Sequence, residues 1–282
     1  MLARHPFLPS RGHRPLRTGC PQICLRGNTA KGGRGILVSM TRRSDDVARA
    51  VHGAGGIVRS RQLVRCGFST HDIFDAVSRG MLVRERRVWV ALPDADPSLR
   101  FAAREGVVLA CITQAARLGL WVLTEPVAHV ACHPHAGGVT PSGVVVHRHA
   151  PVVARDPNVL VDPVENVLQA VARCQPYETA LAVWDSALHN GFIDKARLER
   201  LPLTGQALLL LRDASPFRDS GLETFVFPRL RWLRLQLRSQ TWLFGHRVDY
   251  LIGERLVLQI DGGHHVGAQR TEDVRHDAEL LI

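Results

Sequence analysis

The amino-acid sequence predicts an α+β multidomain protein, and three observations lead there. Its 282 residues exceed the roughly 150 of an average domain. Stretches with helical spacing of apolar residues are interspersed with short runs in which apolar and polar residues alternate. The apolar share of 45% can fill buried cores, yet no apolar run reaches the roughly 18 residues that a membrane span needs. No membrane association is expected. Shifts in composition and glycine clusters divide the chain into segments 1–40, 41–95, 96–215 and 216–282.

The net charge of +10 points to an anionic partner, but the charge is unevenly spread. Residues 1–40 hold seven basic residues (Arg4, Arg11, Arg14, Arg17, Arg26, Lys31, Arg34) and no acidic one, which leaves 29 basic against 26 acidic residues in the rest. Rich in Pro, Gly and Arg and lacking apolar periodicity, this segment is expected to be a disordered basic arm that at most tracks phosphates non-specifically. It lacks the apolar stretch of a secretory signal. The alternative that the arm is not translated stays open, because Met40 directly precedes the first helix-like pattern. The six cysteines (Cys20, Cys24, Cys66, Cys111, Cys132, Cys174) are scattered, and without an export signal they are expected to be thiols in a cytoplasm. Cys20 and Cys24 have no matching second pair, so zinc is not expected there.

In 41–95, Asp45 and Asp46 suit the first turn of a helix, and Gly53, Gly55 and Gly56 end it. Ser60 opens a second helix, closed by Gly67. Ser69 with Asp72 three residues on reads as a capping-box variant, so a third helix is expected over 70–79, stopped by Gly80. Leu82 and Val83, then Val88, Trp89 and Val90 beyond the charged turn 84–87, form a hairpin. Three short helices and a hairpin make the winged helix-turn-helix plan, in which the last helix enters a major groove and wing arginines meet phosphates. The expected DNA-binding residues are Thr70, His71, Ser78 and Arg79 on the helix and Arg84, Arg86 and Arg87 on the wing. Asp72 and Asp75 on the same helix would repel phosphate, and protein docking or intramolecular packing stays open as an alternative use. This segment resembles the N-terminal domain of abortive-infection (type IV) antitoxins, which implies transcriptional autoregulation and a toxin as protein partner.

The α/β middle region, 96–215, is legible as structure and quiet as function. Alternation at 127–132 and 144–149 reads as two strands joined by a Pro and Gly loop. Asp162 and Pro163 suit a helix cap and first position, with helices through Val171 and over 178–188. His129, His133, His135, His147 and His149 fall on strand faces and in a loop without evident carboxylate or cysteine partners, so no metal site is expected among them.

In 216–282 an amphipathic helix over 220–235 carries Leu222, Phe225, Val226, Leu230 and Leu233 near one stripe, and Glu223 near its start. Strands are expected at 240–244, 247–252 and 255–261, and a last helix near Thr271. A two-residue turn at Gly253 and Glu254 would split the apolar sets Val248, Tyr250, Ile252 and Leu256, Leu258, Ile260 between faces. Keeping them together requires an odd-length turn or a bulge that pairs Ile252 with Leu256 and Tyr250 with Leu258. Asp249 then lies opposite Gln259, with Asp261 two residues along the same face. Two carboxylates and an amide oxygen form a hard site suited to Mg²⁺ or Mn²⁺, which activates water toward a phosphodiester. After the turn at Gly262 and Gly263, His264 and His265 can move protons.

The run Val248, Asp249, Tyr250, then Leu258, Gln259, Ile260, Asp261, Gly262, Gly263, His264, His265, followed by the stretch 273–277, resembles the nuclease-like domain related to very-short-patch-repair endonucleases, within the PD-(D/E)XK restriction-endonuclease-like superfamily. The resemblance implies catalytic roles for Glu223, Asp249, Gln259, Asp261, His264 and His265, metal binding by Asp249, Gln259 and Asp261, and Mg²⁺-dependent hydrolysis of DNA. Gln259 stands where the family has a second acidic ligand, and Asp261 where it has a lysine. The chain also ends at Ile282, inside the expected final helix, so the core is expected to lack its last elements. An antitoxin-like regulator or interaction protein with an inactive nuclease-like domain is the alternative.

Overall fold

A computed structural model describes residues 36–134, 136, 141–243 and 245–260, and their contacts divide the chain into two compact units. Among the described residues, the first comprises 36–114 together with 126–163, and the second comprises 115–125 and 164–260. The fold is mixed α+β, with ten α-helices and three small sheets among the described residues. The region 96–215 is thereby shared between the two units.

The first unit opens with α1 (Ile36–Gly53), β1 (Ile57–Arg59), α2 (Ser60–Arg65), α3 (Thr70–Ser78), β2 (Val83–Glu85) and β3 (Trp89–Ala91). The start of α1 differs from expectation. Asp45 and Asp46 lie within the helix, because 36–44 contain no Gly or Pro to stop it and the chain propagates helix upstream of the acidic pair. Val47, Ala50 and Val51 of α1 are buried against Leu63, Ile73, Ala76, Leu82 and Val90. Ser69 caps α3 as the sequence indicated: its Oγ accepts from the Asp72 N–H at 3.1 Å while its own N–H donates to Asp72 Oδ2 at 2.8 Å. The sheet order is β1-β3-β2, both pairings antiparallel. The three-residue β1 is too short to show a period, and was not expected.

After α4 (Pro97–Glu105) come β4 (Val108–Leu109), α5 (Cys111–Arg117), β5 (Ala128–Ala131) and β6 (Val144–His147). Asp96 caps α4 by accepting from Ser98 N at 2.8 Å, with Pro97 in the first turn. β4 pairs antiparallel with β5, and β5 pairs parallel with β6 in the register His129↔Val145 and Ala131↔His147. Val107, Leu109, Val130, Cys132 and Leu160 join Trp89 in a second core of this unit. Asp162, expected as a helix cap, is 2% exposed and receives both Arg155 Nε at 2.6 Å and Nη2 at 3.0 Å.

The second unit contains α6 (Val164–Cys174), α7 (Tyr177–His189), α8 (Lys195–Glu199), α9 (Gln206–Asp213), α10 (Gly221–Leu230), a 3₁₀ turn (Arg231–Leu233) and a sheet of β7 (Leu237–Leu243), β8 (His246–Ile252) and β9 (Leu256–Leu258). Trp184, Leu168, Leu181, Leu198 and Leu210 fill its helical core. The expected apolar stripe of α10 is not its buried face: Leu222 is 49% exposed, whereas Gly221, Glu223 and Thr224 are buried. The cause is a polar cluster. Asp185 of α7 accepts from Arg218 at 2.5 Å, Thr224 Oγ1 at 2.7 Å and Ser215 N at 2.7 Å, turning the polar side of α10 inward. No described helix is long and apolar enough to cross a membrane.

Candidate active site and a second metal-ligating cluster

Glu223 sits in the first turn of α10, where the Ser220 Oγ accepts from its N–H at 3.2 Å and fixes the entry of the chain. Its carboxylate is 5% exposed and accepts from Asp219 N at 3.1 Å and Gln240 Nε2 at 2.8 Å. Gln240 also reaches Asp249 Oδ1 at 3.4 Å, so one amide touches both carboxylates. Burial raises the Glu223 carboxyl above its ordinary range and the Asp249 charge adds to that, while bonds from Gln240, Asp219 and Ser220 pull the other way.

Two features of the sheet bring these groups together. The pairs Ser239↔Tyr250 and Thr241↔Val248 put Gln240 across from Asp249, and Gln240 has φ +53. A left-handed conformation in a strand interior is costly for a residue with a Cβ, and such outliers cluster at functional sites. The hairpin from β8 to β9 has the register that the apolar alternation required: Ile252 pairs with Leu256 and Tyr250 with Leu258 around the three residues 253–255, Gly253 having φ +63. One step further, Asp249 stands beside the segment of Gln259, and its Oδ2 accepts from Ile260 N at 2.7 Å. Tyr250 then locks the helix to the sheet by donating its buried hydroxyl to the Glu223 carbonyl at 3.0 Å.

Of the six C-terminal residues singled out in the sequence, Glu223 and Asp249 are brought together and the segment of Gln259 adjoins Asp249. Asp261, His264 and His265 lie outside the described residues, as do the stretch 273–277, the expected last helix and the basic arm up to residue 35. Gln240 was missed. Extending the register from Asp249 to the preceding strand would have found it, but its backbone conformation has no signal in the sequence.

In the first unit Thr70, His71, Ser78 and Arg79 are exposed on or just after α3, and Arg84, Arg86 and Arg87 are exposed on the β2–β3 hairpin. The objection raised by the two acidic residues of α3 is weakened by their partners. Asp72 is 8% exposed; burial would raise its carboxyl, but the Ser69 bonds and Arg43 outweigh that and hold it below the usual range. Asp75 is held low by bonds from Ser44 and Arg79, the latter at 2.9 Å. Arg86 has φ +52, and its guanidinium lies so close to Gly106 that a Cβ there would fall 1.8 Å from Arg86 Nη1.

The histidines of the middle region require a correction. His129 and His147 do have a cysteine partner: Cys111, His129 and His147 each offer a ligand atom, all within 4.8 Å of one another, and this buried Cys/His cluster could hold a metal ion. Its donors are nitrogen and sulfur, unlike the carboxylates of the C-terminal sheet. The sequence hid it because the cysteine is 18 residues from the nearer histidine and reaches it only through strand pairing. No protein-family model matches the chain, and no curated protein matches it.

Proposed function

We propose that this chain is a DNA-binding protein in which an N-terminal winged helix-turn-helix precedes a nuclease-like domain of the PD-(D/E)XK kind, and that it hydrolyses DNA phosphodiesters with Mg²⁺ or Mn²⁺. The observation that carries the reading is the meeting of Glu223 and Asp249 at one amide, on a helix end and a central strand tied by Tyr250. Two carboxylates this close repel unless positive charge joins them, and hard oxygen donors favour Mg²⁺ or Mn²⁺. Asp249 and Glu223 would hold the ion, with Gln259 and Asp261 as the further ligands that the family resemblance suggests. When bound, such an ion polarises the phosphodiester and lowers the pKa of a water. The protein's own work is to fix the carboxylates: Ser220 and Asp219 orient Glu223, and the Ile260 N–H orients Asp249. The order of α1 to β3 and the seven exposed polar and basic residues support the winged-helix reading.

A second reading, an antitoxin-like regulator whose nuclease-like domain does not cut, is favoured by one contact. The neutral Gln240 amide already donates to both carboxylates and takes part of the role of a cation. Purified full-length protein incubated with nicked, mismatched and single-stranded DNA and Mg²⁺ or Mn²⁺ separates the two. Cleavage reduced to background by Asp249→Ala is the expected result. Sequence-specific retardation without cleavage would establish the second reading, and neither effect would leave a protein-docking role for the winged helix.

A further inference from the structure

We propose that Cys111, His129 and His147 bind one zinc ion, at a site chemically independent of the C-terminal carboxylates. The three residues converge through backbone pairing. Leu109 pairs with Val130, and the N–H of Ala110 donates to the carbonyl of His129 at 3.1 Å, so the chain leaves β4 beside His129. Cys111, the next residue, begins α5 with φ +50. A non-glycine residue held there is strained, and the conformation persists where surrounding contacts impose it. In the parallel β5–β6 pair His129 is opposite Val145, so His147, two residues on, shares its face as a diagonal neighbour.

The spacing is that of a coordination shell. His129 Nδ1 and His147 Nε2 are 3.2 Å apart. Two Zn–N bonds of about 2.0–2.1 Å at the tetrahedral angle place their nitrogens roughly 3.3–3.4 Å apart, so closure onto an ion needs a shift of only a few tenths of an ångström. With a Zn–S bond of about 2.3 Å the sulfur sits roughly 3.6 Å from each nitrogen, and all three ligand atoms already fall within 4.8 Å. Without a metal, the two ring nitrogens face one another as a donor and an acceptor, a bond that fixes one tautomer; with a metal, both present lone pairs.

Chemistry selects the ion. One thiolate and two imidazoles are soft to borderline donors that suit Zn²⁺ and disfavour Mg²⁺. Cys111 and His129 are buried and His147 is half-buried. Binding releases the Cys111 thiol proton to solvent and cross-links the β4–α5 corner to the parallel strand pair, so the ion stabilises the folded state by mass action.

Full-length protein stripped with a chelator and titrated with Co²⁺ tests the site. The expected result is one equivalent bound with a thiolate-to-cobalt charge-transfer band in the near ultraviolet, displaced by stoichiometric Zn²⁺, with a rise in the thermal unfolding midpoint. Cys111→Ser diminishes the thiolate band, and His147→Asn weakens Co²⁺ binding at least tenfold while keeping the far-ultraviolet circular dichroism of the parent. His147 is half-buried, so this variant keeps the test valid if Cys111→Ser fails to fold. Asp249→Ala leaves the band intact, which separates this site from the proposed nuclease centre. Absence of the band in the parent, an unchanged band in Cys111→Ser, or undiminished binding by folded His147→Asn would overturn the proposal.

Discussion

At the scale of single residues the most informative group is Glu223. It sits 5% exposed between a helix cap and the amide of Gln240, and burial is the largest of the influences that raise its carboxyl from the ordinary value of 4.5. A raised carboxyl binds more protons in the folded than in the unfolded state, so its contribution to stability is greatest at low pH and is lost as pH rises through the folded value. Glu223→Gln cannot titrate, and its amide oxygen can still accept from Asp219 and Gln240. Thermal unfolding of both proteins from pH 4.5 to neutrality is therefore expected to show the variant gaining on the parent as pH rises. A constant difference would mean that burial of this carboxylate is fully compensated by its hydrogen bonds. The same residue shows what a sequence can and cannot reveal. Its place in a first helical turn is a local matter, signalled by Ser220 three residues before it, but nothing local predicts a strand glutamine at φ +53 turned to meet it.

At the scale of elements, α10 is held by close approach rather than by an apolar stripe. A Cβ on Gly221 would fall 2.0 Å from Trp121 Cδ2, and the Trp121 ring also meets Phe225 edge-on with centroids 5.5 Å apart. Gly221→Ala is expected to destabilise the protein by about 1–3 kcal/mol, the usual range for overpacking, although alanine is the better helix former. Denaturant unfolding measures this, and a neutral or stabilising result would show that the indole can move aside without loss. The expected stripe failed because Asp185 recruits Thr224 and Arg218, a demand made by α7, whose residues precede α10 by more than thirty positions. The β8–β9 register, by contrast, was legible because a short turn and a period of two leave one solution that keeps Val248, Tyr250 and Ile252 buried. Local constraints were readable, as were the capping box of α3 and the ends of α2 and α3. The parallel β5–β6 pairing was not, since Pro and Gly between two strands in the sequence do not tell a hairpin turn from a crossover.

At the scale of the whole molecule, the composition points to an anionic partner, and the proposed contacts to DNA can be tested at particular side chains. Arg84, Arg86 and Arg87 look equivalent in the sequence, and the structure distinguishes them. The guanidinium of Arg86 rests against Gly106, a left-handed helix cap with φ +71, whereas Arg84 runs along the turn with Nη1 donating to the Arg87 carbonyl at 3.3 Å. If the hairpin is a wing that meets phosphates, Arg84 and Arg87 make the contacts and Arg86 shapes the turn. Each phosphate neutralised on duplex DNA contributes about 0.9 to the slope of log affinity against log salt concentration. Arg84→Ala and Arg87→Ala are each expected to lower the magnitude of that slope by roughly one, similarly for every duplex sequence, while Arg86→Ala leaves it unchanged and lowers the unfolding midpoint. Fluorescence anisotropy of a labelled duplex across a salt series gives the slopes. Equal slopes for the parent, Arg84→Ala and Arg87→Ala would remove the hairpin from the DNA interface and favour its use in docking a protein, because a phosphate contact cannot be lost without changing the number of ions released.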